Sequence, residues 1–331
     1  MILVTGATGH IGNVLIRQLT ATGEKVRALT LPGEDTLSIQ DLNVEIVEGD
    51  VLDYPSLLTA FQGVDVIYHL AGLISIMPGS NPLVQTVNYA GTRNVLQAAR
   101  QTGVHRLVYT SSIHALRRIP HGATVDESVP FDPEHAISSY DRSKAEASLA
   151  VMQAIQAGMD AVICCPTGVI GPYDFRGSEM GELIHDLSLR KLTLYVDGAY
   201  DFVDVRDVAN GLILANQKGV TGESYILSGE RITVLELVKT VQEIIGKYIP
   251  RLKIPINLAR FTARFTPIYY RLTHAKPRFT SYSLDTLQSN SVISNHKARR
   301  ELGYNPRSLR VSLADTVQWF LQEKSFATRG R

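Results

Sequence analysis

Short apolar runs alternate, through the first half of the chain, with stretches whose apolar positions recur every three or four residues. Residues 2–4, 25–29, 44–47, 64–70, 106–110 and 161–165 are runs of strand length, whereas 13–22, 55–61, 84–102 and 139–158 carry helical spacing. Strand, helix and strand repeated this way predict an α/β fold built on a doubly wound parallel sheet, because parallel strands need crossover helices. After Pro166 the pattern loosens and Gly and Pro punctuate shorter elements. A smaller second α/β unit is expected there. Residues 201–217 still read as a strand and helix returning to the first unit, so the division is expected to be discontinuous: 1–167 with 201–222, and 168–200 with 223–331. Between 255 and 285 basic and aromatic residues mix (Arg260-Phe261, Arg264-Phe265, Tyr269-Tyr270-Arg271). That stretch reads as a surface helix with a buried aromatic stripe or as a flap over a pocket.

Composition narrows the class. The 331 residues are 44% hydrophobic, and 33 Lys and Arg against 32 Asp and Glu leave a net charge of +1, which offers nothing to nucleic acid. No apolar run approaches the roughly 18 residues of a membrane span, and the first strand follows Met1 directly, so a cytoplasmic protein without a leader is expected. Cys164 and Cys165 are adjacent within an apolar run and read as buried strand residues of a reducing compartment. The nine histidines show no ligand spacing, and no metal is expected.

Three motifs carry chemistry. Behind the first strand stands Thr5-Gly6-Ala7-Thr8-Gly9-His10-Ile11-Gly12. Gly6 permits a tight turn, Gly9 lets backbone approach a pyrophosphate, and Gly12 lets the next helix pack closely, its N-terminus facing the phosphates. Thr110-Ser111-Ser112 ends a strand at the carboxyl edge of the sheet, where ligands bind. Tyr140 and Lys144 are four residues apart on a helix, so they share a face, and a nearby ammonium favours phenolate. Together these suggest a dinucleotide site with an acid/base beside it.

These motifs, with Gly49-Asp50-Val51, His69-Leu70-Ala71-Gly72, Val87-Asn88, Pro166-Thr167-Gly168 and the segment 201–208, resemble in order the extended short-chain dehydrogenase/reductase family. The resemblance implies a Rossmann domain that binds NAD(P) and a small-molecule substrate. It places Asp50 and Val51 by the adenine, Leu70, Ala71 and Gly72 along the cofactor groove, and Pro166, Thr167 and Gly168 beside the nicotinamide. Tyr140 would be the general acid/base, Lys144 would hold the nicotinamide ribose, and Ser112 would orient the substrate oxygen, with Ser111 as the alternative. Asn88 reads either as a brace for the lysine, through water or backbone, or as a polar residue of the helix interior, and a homodimer through the Tyr–Lys helix and the one before it is implied.

Two branches of the family differ in reaction. Nucleotide-sugar epimerases and dehydratases use bound NAD transiently, whereas dihydroflavonol-reductase-like and 3β-hydroxysteroid-dehydrogenase-like members turn over a free carbonyl or alcohol. His114-Ala115-Leu116 where epimerases often carry Val-Tyr-Gly, and Tyr200 where many carry a phosphate-binding arginine, favour the second branch. A non-catalytic dinucleotide sensor is the remote alternative. Ile74, Ser112, His114 and Tyr173 are expected at the substrate, with 73–77 and Phe175 as apolar walls. Thr30 ends the second strand without an acid or an arginine beside it, so NADP(H) is favoured over NAD(H), although Glu34 or Asp35 can reach back from the loop.

Overall fold

The computed structural model describes residues 1–75, 81–189, 193–266 and 280–329, the side chains of 179, 188 and 323–329 excepted. Ile76, Met77, Tyr269, Tyr270 and Arg271 lie outside the described residues, so those parts of the expected wall and flap do too.

The first half alternates as its pattern requires. In chain order it contains β1 (Ile2–Thr5), α1 (His10–Ala21), β2 (Val26–Thr30), β3 (Glu45–Glu48), α2 (Tyr54–Ala60), β4 (Val66–His69) and α3 (Pro82–Gln85). There follow α4 (Gly91–Thr102), β5 (Arg106–Thr110), α5 (Ser139–Gln156) and β6 (Ala161–Pro166). The helical run expected over 84–102 is broken by a wider π-type turn at Thr86–Ala90, which carries the buried Asn88. Such turns recur at functional sites.

Beyond β6 lie β7 (Gly168–Ile170), α6 (Glu179–Leu189), β8 (Thr193–Tyr195), β9 (Ala199–Asp204), α7 (Val205–Lys218) and β10 (Ser224–Leu227). The remainder comprises β11 (Glu230–Thr233), α8 (Val234–Ile245), β12 (Arg251–Lys253), α9 (Ile256–Ala263), α10 (Ser281–Leu287) and α11 (Leu309–Arg329).

Seven parallel strands form the main sheet in the order β10-β6-β5-β4-β1-β2-β3. The chain runs outward in one direction from β1 to β3 and in the other from β4, so the crevice beyond the carboxyl ends of β1 and β4 is the topological switch point. All four residues of β1 are buried, as expected of a strand covered on both faces. On one face Val14, Leu15, Ile16 and Leu19 of α1 share a core with Val208 and Leu212 of α7. On the other, Leu57, Val95, Ala99, Ala147 and Val151 bring together α2, α4 and α5.

The structure moves the expected division. Strand β9, assigned from its sequence to the first unit, pairs instead with β7 and β11 in a separate three-stranded sheet. Strand β10, expected in the second unit, pairs with β6 and completes the main sheet, because β6 would otherwise be an open edge. Ala298, Leu302 and Tyr304 likewise join the main-sheet core. A third cluster, Ile184, Phe202, Leu237, Val241, Leu313 and Val317, holds the smaller layer together. Within the segment 201–208, Asp204 caps α7 by accepting from the Arg206 N–H at 2.8 Å, and Asp207 accepts from the Arg307 guanidinium at 2.9 Å. Those two acids are spent on structure.

Candidate active site

The glycine turn is sterically determined. Gly6 has φ +65°, and a Cβ on it would lie 2.8 Å from the Ala71 nitrogen. A Cβ on Gly12 would lie 2.1 Å from the Gly6 carbonyl oxygen. Side chains at either position would close the cradle, so the backbone present fits a dinucleotide pyrophosphate lying against the first turn of α1. Asn13 ties this turn down by donating to the carbonyls of Gly9 at 2.8 Å and Tyr173 at 3.1 Å. His10 bonds the Pro172 carbonyl at 3.0 Å and so is a bracing group, while Ile11 packs against the core.

From this turn a chain of hydrogen bonds runs to α5. The Thr5 hydroxyl accepts from the backbone N–H groups of Leu70 at 3.1 Å and Ala71 at 3.0 Å, which leaves its own proton for His69 Nδ1 at 2.8 Å. Burial pushes His69 down to about 3, so it is neutral, and its Nε2–H must donate to Thr92 at 2.9 Å. Thr92 then donates to the Asn88 carbonyl at 2.7 Å. The Asn88 side chain accepts from Leu73 N at 2.7 Å and donates to the Leu73 carbonyl and to Ser143, each at 2.9 Å. A Cβ on Gly72 would lie 3.0 Å from Asn88 Oδ1 and 3.7 Å from Lys144 Nζ. Gly72, Asn88 and Lys144 are thus brought together, although the direct partner of Asn88 is Ser143 and not the lysine.

Helix α5 starts with Ser138 capping the Asp141 N–H at 3.0 Å and presents Tyr140 and Lys144 to the carboxyl edge of the sheet. Lys144 is buried and donates to the Thr110 carbonyl at 2.7 Å; burial brings its ammonium down to about 8. The serine pair divides by role. Ser148 gives its proton to the Lys144 carbonyl at 2.7 Å, so the 2.6 Å bond between Ser111 and Ser148 has Ser111 as donor and uses up its hydrogen. Ser112 accepts from the His114 N–H at 3.2 Å, a role that leaves its O–H as a donor.

Around Tyr140 stands an aromatic group that only the tertiary fold assembles. The His114 ring lies 6.4 Å from that of Tyr140, 6.2 Å from Tyr200 and 6.1 Å from Tyr282. His114 Nε2 bonds the Tyr200 hydroxyl at 2.7 Å, and burial lowers its basicity, so it faces the site neutral. Tyr282 donates to Asp141 at 2.7 Å, and Arg118 approaches the same carboxylate at 3.9 Å. Neither Tyr282 nor Asp141 stood out in the sequence; the one signal was the acid following Tyr140. A Cβ on Gly168 would lie 2.5 Å from the Tyr200 ring, so that glycine is what lets the tyrosine lie over β7. Thr167 donates to Asp201 at 2.6 Å, and burial pushes this carboxyl up to about 6. A cavity of about 220 Å³ opens beside these groups, lined by His114, Thr167, Tyr200 and Asp201, with Ile113 and Ile293 among its apolar walls.

The remaining expected residues are dispersed. Val51 is buried and Asp50 accepts from Leu52 N at 2.9 Å, so both shape the loop after β3. Thr30 is buried and its carbonyl holds Gly49 N at 2.8 Å; Pro166 ends β6. Ile74 is exposed. Tyr173 departs from the expected substrate wall: with φ +67° it turns its ring beneath the Arg17 guanidinium of α1, 4.7 Å away, on the glycine-turn side. No acid ends β2, but the loop after it places Glu34 beside Thr8 of the glycine turn. Glu34 accepts from Leu31 N and from Thr8, each at 2.9 Å, and pairs with Arg176. Burial opposes its ionisation, but the bonds from Arg176, Leu31 and Thr8 outweigh it and hold the carboxyl below its usual range. Among the described residues no cluster of His, Cys, Asp and Glu forms a metal site, and no helix is long and apolar enough to cross a membrane.

Residues 2–228 match the model of the NAD dependent epimerase/dehydratase family. The chain is 39% identical over 96% of its length to sterol demethylase protein B of Methylococcus capsulatus, covering 97% of that protein. It is 30% identical over 92% of its length to 4-hydroxy-2-methyl-3-oxo-4-farnesyl-3,4-dihydroquinoline-1-oxide ketoreductase of Stigmatella aurantiaca, covering 91% of it. A dTDP-glucose 4,6-dehydratase from Streptomyces venezuelae, solved with NAD bound, superimposes with TM-score 0.77 over 98% of both chains at 24% identity.

Proposed function

Because the chain belongs to the NAD dependent epimerase/dehydratase family, among the extended short-chain dehydrogenase/reductases, we propose that it interconverts a free carbonyl and a secondary alcohol on a small, partly apolar substrate. The observation that carries this reading is the placement of Lys144, buried beneath Gly72 and fixed to Thr110, four residues along α5 from Tyr140. The chemistry a nicotinamide would supply when held here is the gift or acceptance of a hydride. Tyr140 gives its phenolic proton to the developing alkoxide, or takes one from the alcohol, and the Lys144 ammonium favours the phenolate that results. Ser112 donates its hydroxyl to the same oxygen and holds it in place. The glycine turn, Thr8, Leu70, Ala71 and Gly72 would hold the dinucleotide along the crevice, with Asp50 and Val51 toward its adenine.

Electrostatics favours a substrate without phosphates. The cations nearest the cavity, Arg117 and Arg118, already face Asp132 at 2.7 Å and Asp141 at 3.9 Å, and Tyr200 offers a neutral hydroxyl. Desolvating a diphosphate there without a cation to spare would be costly. The names of the sterol and quinoline relatives agree with an apolar substrate. For the cofactor we favour NADP(H), with Arg176, which donates to Thr8 at 2.6 Å and pairs with Glu34, as the cation that would exchange this carboxylate for a 2′-phosphate, while Glu34 itself keeps NAD(H) in play. A cytoplasmic homodimer through α4 and α5 completes the reading.

The test is to follow absorbance of reduced nicotinamide with a panel of ketones, aldehydes and nucleotide sugars. Net oxidation with a free carbonyl compound is expected. Conversion of a nucleotide sugar without net cofactor turnover would replace the reading with an epimerase.

A further inference from the structure

Helix α9 presents outward a stripe that the fold does not bury. Ala259 and Ala263 of this helix face inward, packing with Leu284 of α10 and Val196, and the half-buried Ile256 at its start packs against the same cluster. On its other side Leu258 and Phe261 are 53% and 59% exposed, and Phe265, one turn on, is 55% exposed. Their spacing of three and four residues puts all three on one face, and the rings of Phe261 and Phe265 meet edge to face at 5.5 Å. Exposed aromatic pairs cost solubility without stabilising the fold, so a contiguous stripe of this kind points to something outside the chain.

Charge identifies the partner. Residues 247–266 hold five basic side chains, Lys247, Arg251, Lys253, Arg260 and Arg264, and no acidic one, in a protein whose net charge is only +1. Arg260 is exposed, reaches Gln288 at 2.9 Å and pairs with the half-exposed Asp285 at 3.5 Å, and Lys253 pairs with the exposed Asp197, so both ion pairs open to solvent. Tyr248 is 80% exposed, under the guanidinium of Arg251 at 5.7 Å. Aromatic and aliphatic side chains on one helical face, flanked by Lys and Arg whose stems can snorkel, match the interface of an anionic bilayer.

We infer that α9 and the basic segment leading into it form a docking surface for anionic membrane, which the protein touches without spanning it. The placement has a use. Helix α9 packs on α10, whose Tyr282 reaches Asp141 beside the acid/base, and the residues after α10, Gln288 to Ser291, line the cavity. An apolar molecule leaving the bilayer at α9 would arrive at the cavity wall. The surface itself does not depend on the reaction proposed above.

Co-sedimentation of the full chain with phosphatidylcholine vesicles, with and without phosphatidylserine, tests this. Binding to the phosphatidylserine vesicles is expected to exceed that to phosphatidylcholine alone by about tenfold and to fall at about 0.5 M salt. The double variant Phe261→Ser/Phe265→Ser should lose the binding with its thermal midpoint unchanged, and Arg260→Ser/Arg264→Ser should lose the lipid preference. Absence of sedimentation with either vesicle, or binding that survives in both double variants, overturns the inference. So does a stripe variant whose only change is a smaller sedimentation coefficient without vesicles, which would give the face to a second copy of the chain.

Discussion

The side-chain amide of Asn88 donates to the hydroxyl of Ser143 at 2.9 Å, and Ser143 donates onward to the Tyr140 carbonyl at 2.9 Å. The π-type turn thereby grips the first turn of α5. Asn88→Ala removes that link and strands the Leu73 N–H and carbonyl, at a cost of about 1–3 kcal/mol. Turnover is expected to fall by about tenfold through a displaced Tyr140. Ser143→Ala, which spares Leu73, should lower turnover with a smaller loss of thermal midpoint, and steady-state kinetics beside a melting curve separates the two.

Tyr140→Phe keeps the ring that packs against His114 and removes the hydroxyl that carries the proton. A loss of about 10² to 10⁴ in turnover is expected, with cofactor binding retained. An unchanged rate in single-turnover measurements would remove Tyr140 from the chemistry.

Lys144 has its ammonium brought from the usual 10.5 to about 8 by burial, so the native chain releases this proton before the unfolded chain does. The apo protein is therefore burdened by Lys144 below about pH 8, and the burden lifts as pH rises toward 10.5. Replacing it with methionine should stabilise the apo chain at neutral pH by roughly 2 kcal/mol, after about 1 kcal/mol is lost with the bond to Thr110. The same variant should lose activity and bind cofactor weakly. Thermal melts from neutral to alkaline pH check the sign, since the advantage must shrink as pH rises.

Asp201 behaves in the opposite direction. Its carboxyl, raised by burial from 3.8 to about 6, keeps its proton in the native state where the unfolded chain has lost it. That contribution is fully present below 3.8 and is lost as pH rises through 6. Both donors, Thr167 and Gly229 N, meet the same oxygen, Oδ1, which asparagine reproduces. Asp201→Asn is expected to raise the midpoint at neutral pH by an amount equivalent to roughly 3 kcal/mol and to leave it unchanged near the lower end of the window. A destabilised variant at neutral pH would mean the ionised carboxylate has a partner of its own.

Arg176 and Glu34 set cofactor choice if the 2′-phosphate lies where they meet. Arg176→Ala should weaken NADPH by about tenfold relative to NADH, and Glu34→Gln should shift the ratio the other way. Fluorescence titration of each variant with both nucleotides reads this directly, and a ratio that moves in neither would place the determinant elsewhere.

Local signals carried much of this site. Gly6, Gly9 and Gly12 announced the turn because backbone sterics act within a few residues, and Tyr140 with Lys144 shared a face because helical period alone requires it. The choice between Ser111 and Ser112 needed the fold, since it turned on where Ser148 sends its proton. Glu34 stood in an unpatterned loop, and its partner Arg176 is far along the chain. Tyr282 reaches Asp141 from the far end of the sequence, with no spacing to suggest it.

The order of strands and helices, the glycine turn and the shared helical face of Tyr140 and Lys144 were determined by the sequence itself, because each depends on interactions between near neighbours. Tertiary structure alone decided that β9 leaves the main sheet and β10 completes it, since edge pairing depends on which strand has an open side. It also decided that His114, Tyr200 and Tyr282 gather around Tyr140, and that Phe261 and Phe265 face outward. Burial, and with it the altered proton affinities of Lys144 and Asp201, belongs to the packed molecule, because removing a charge from water takes neighbours that sequence distance does not predict.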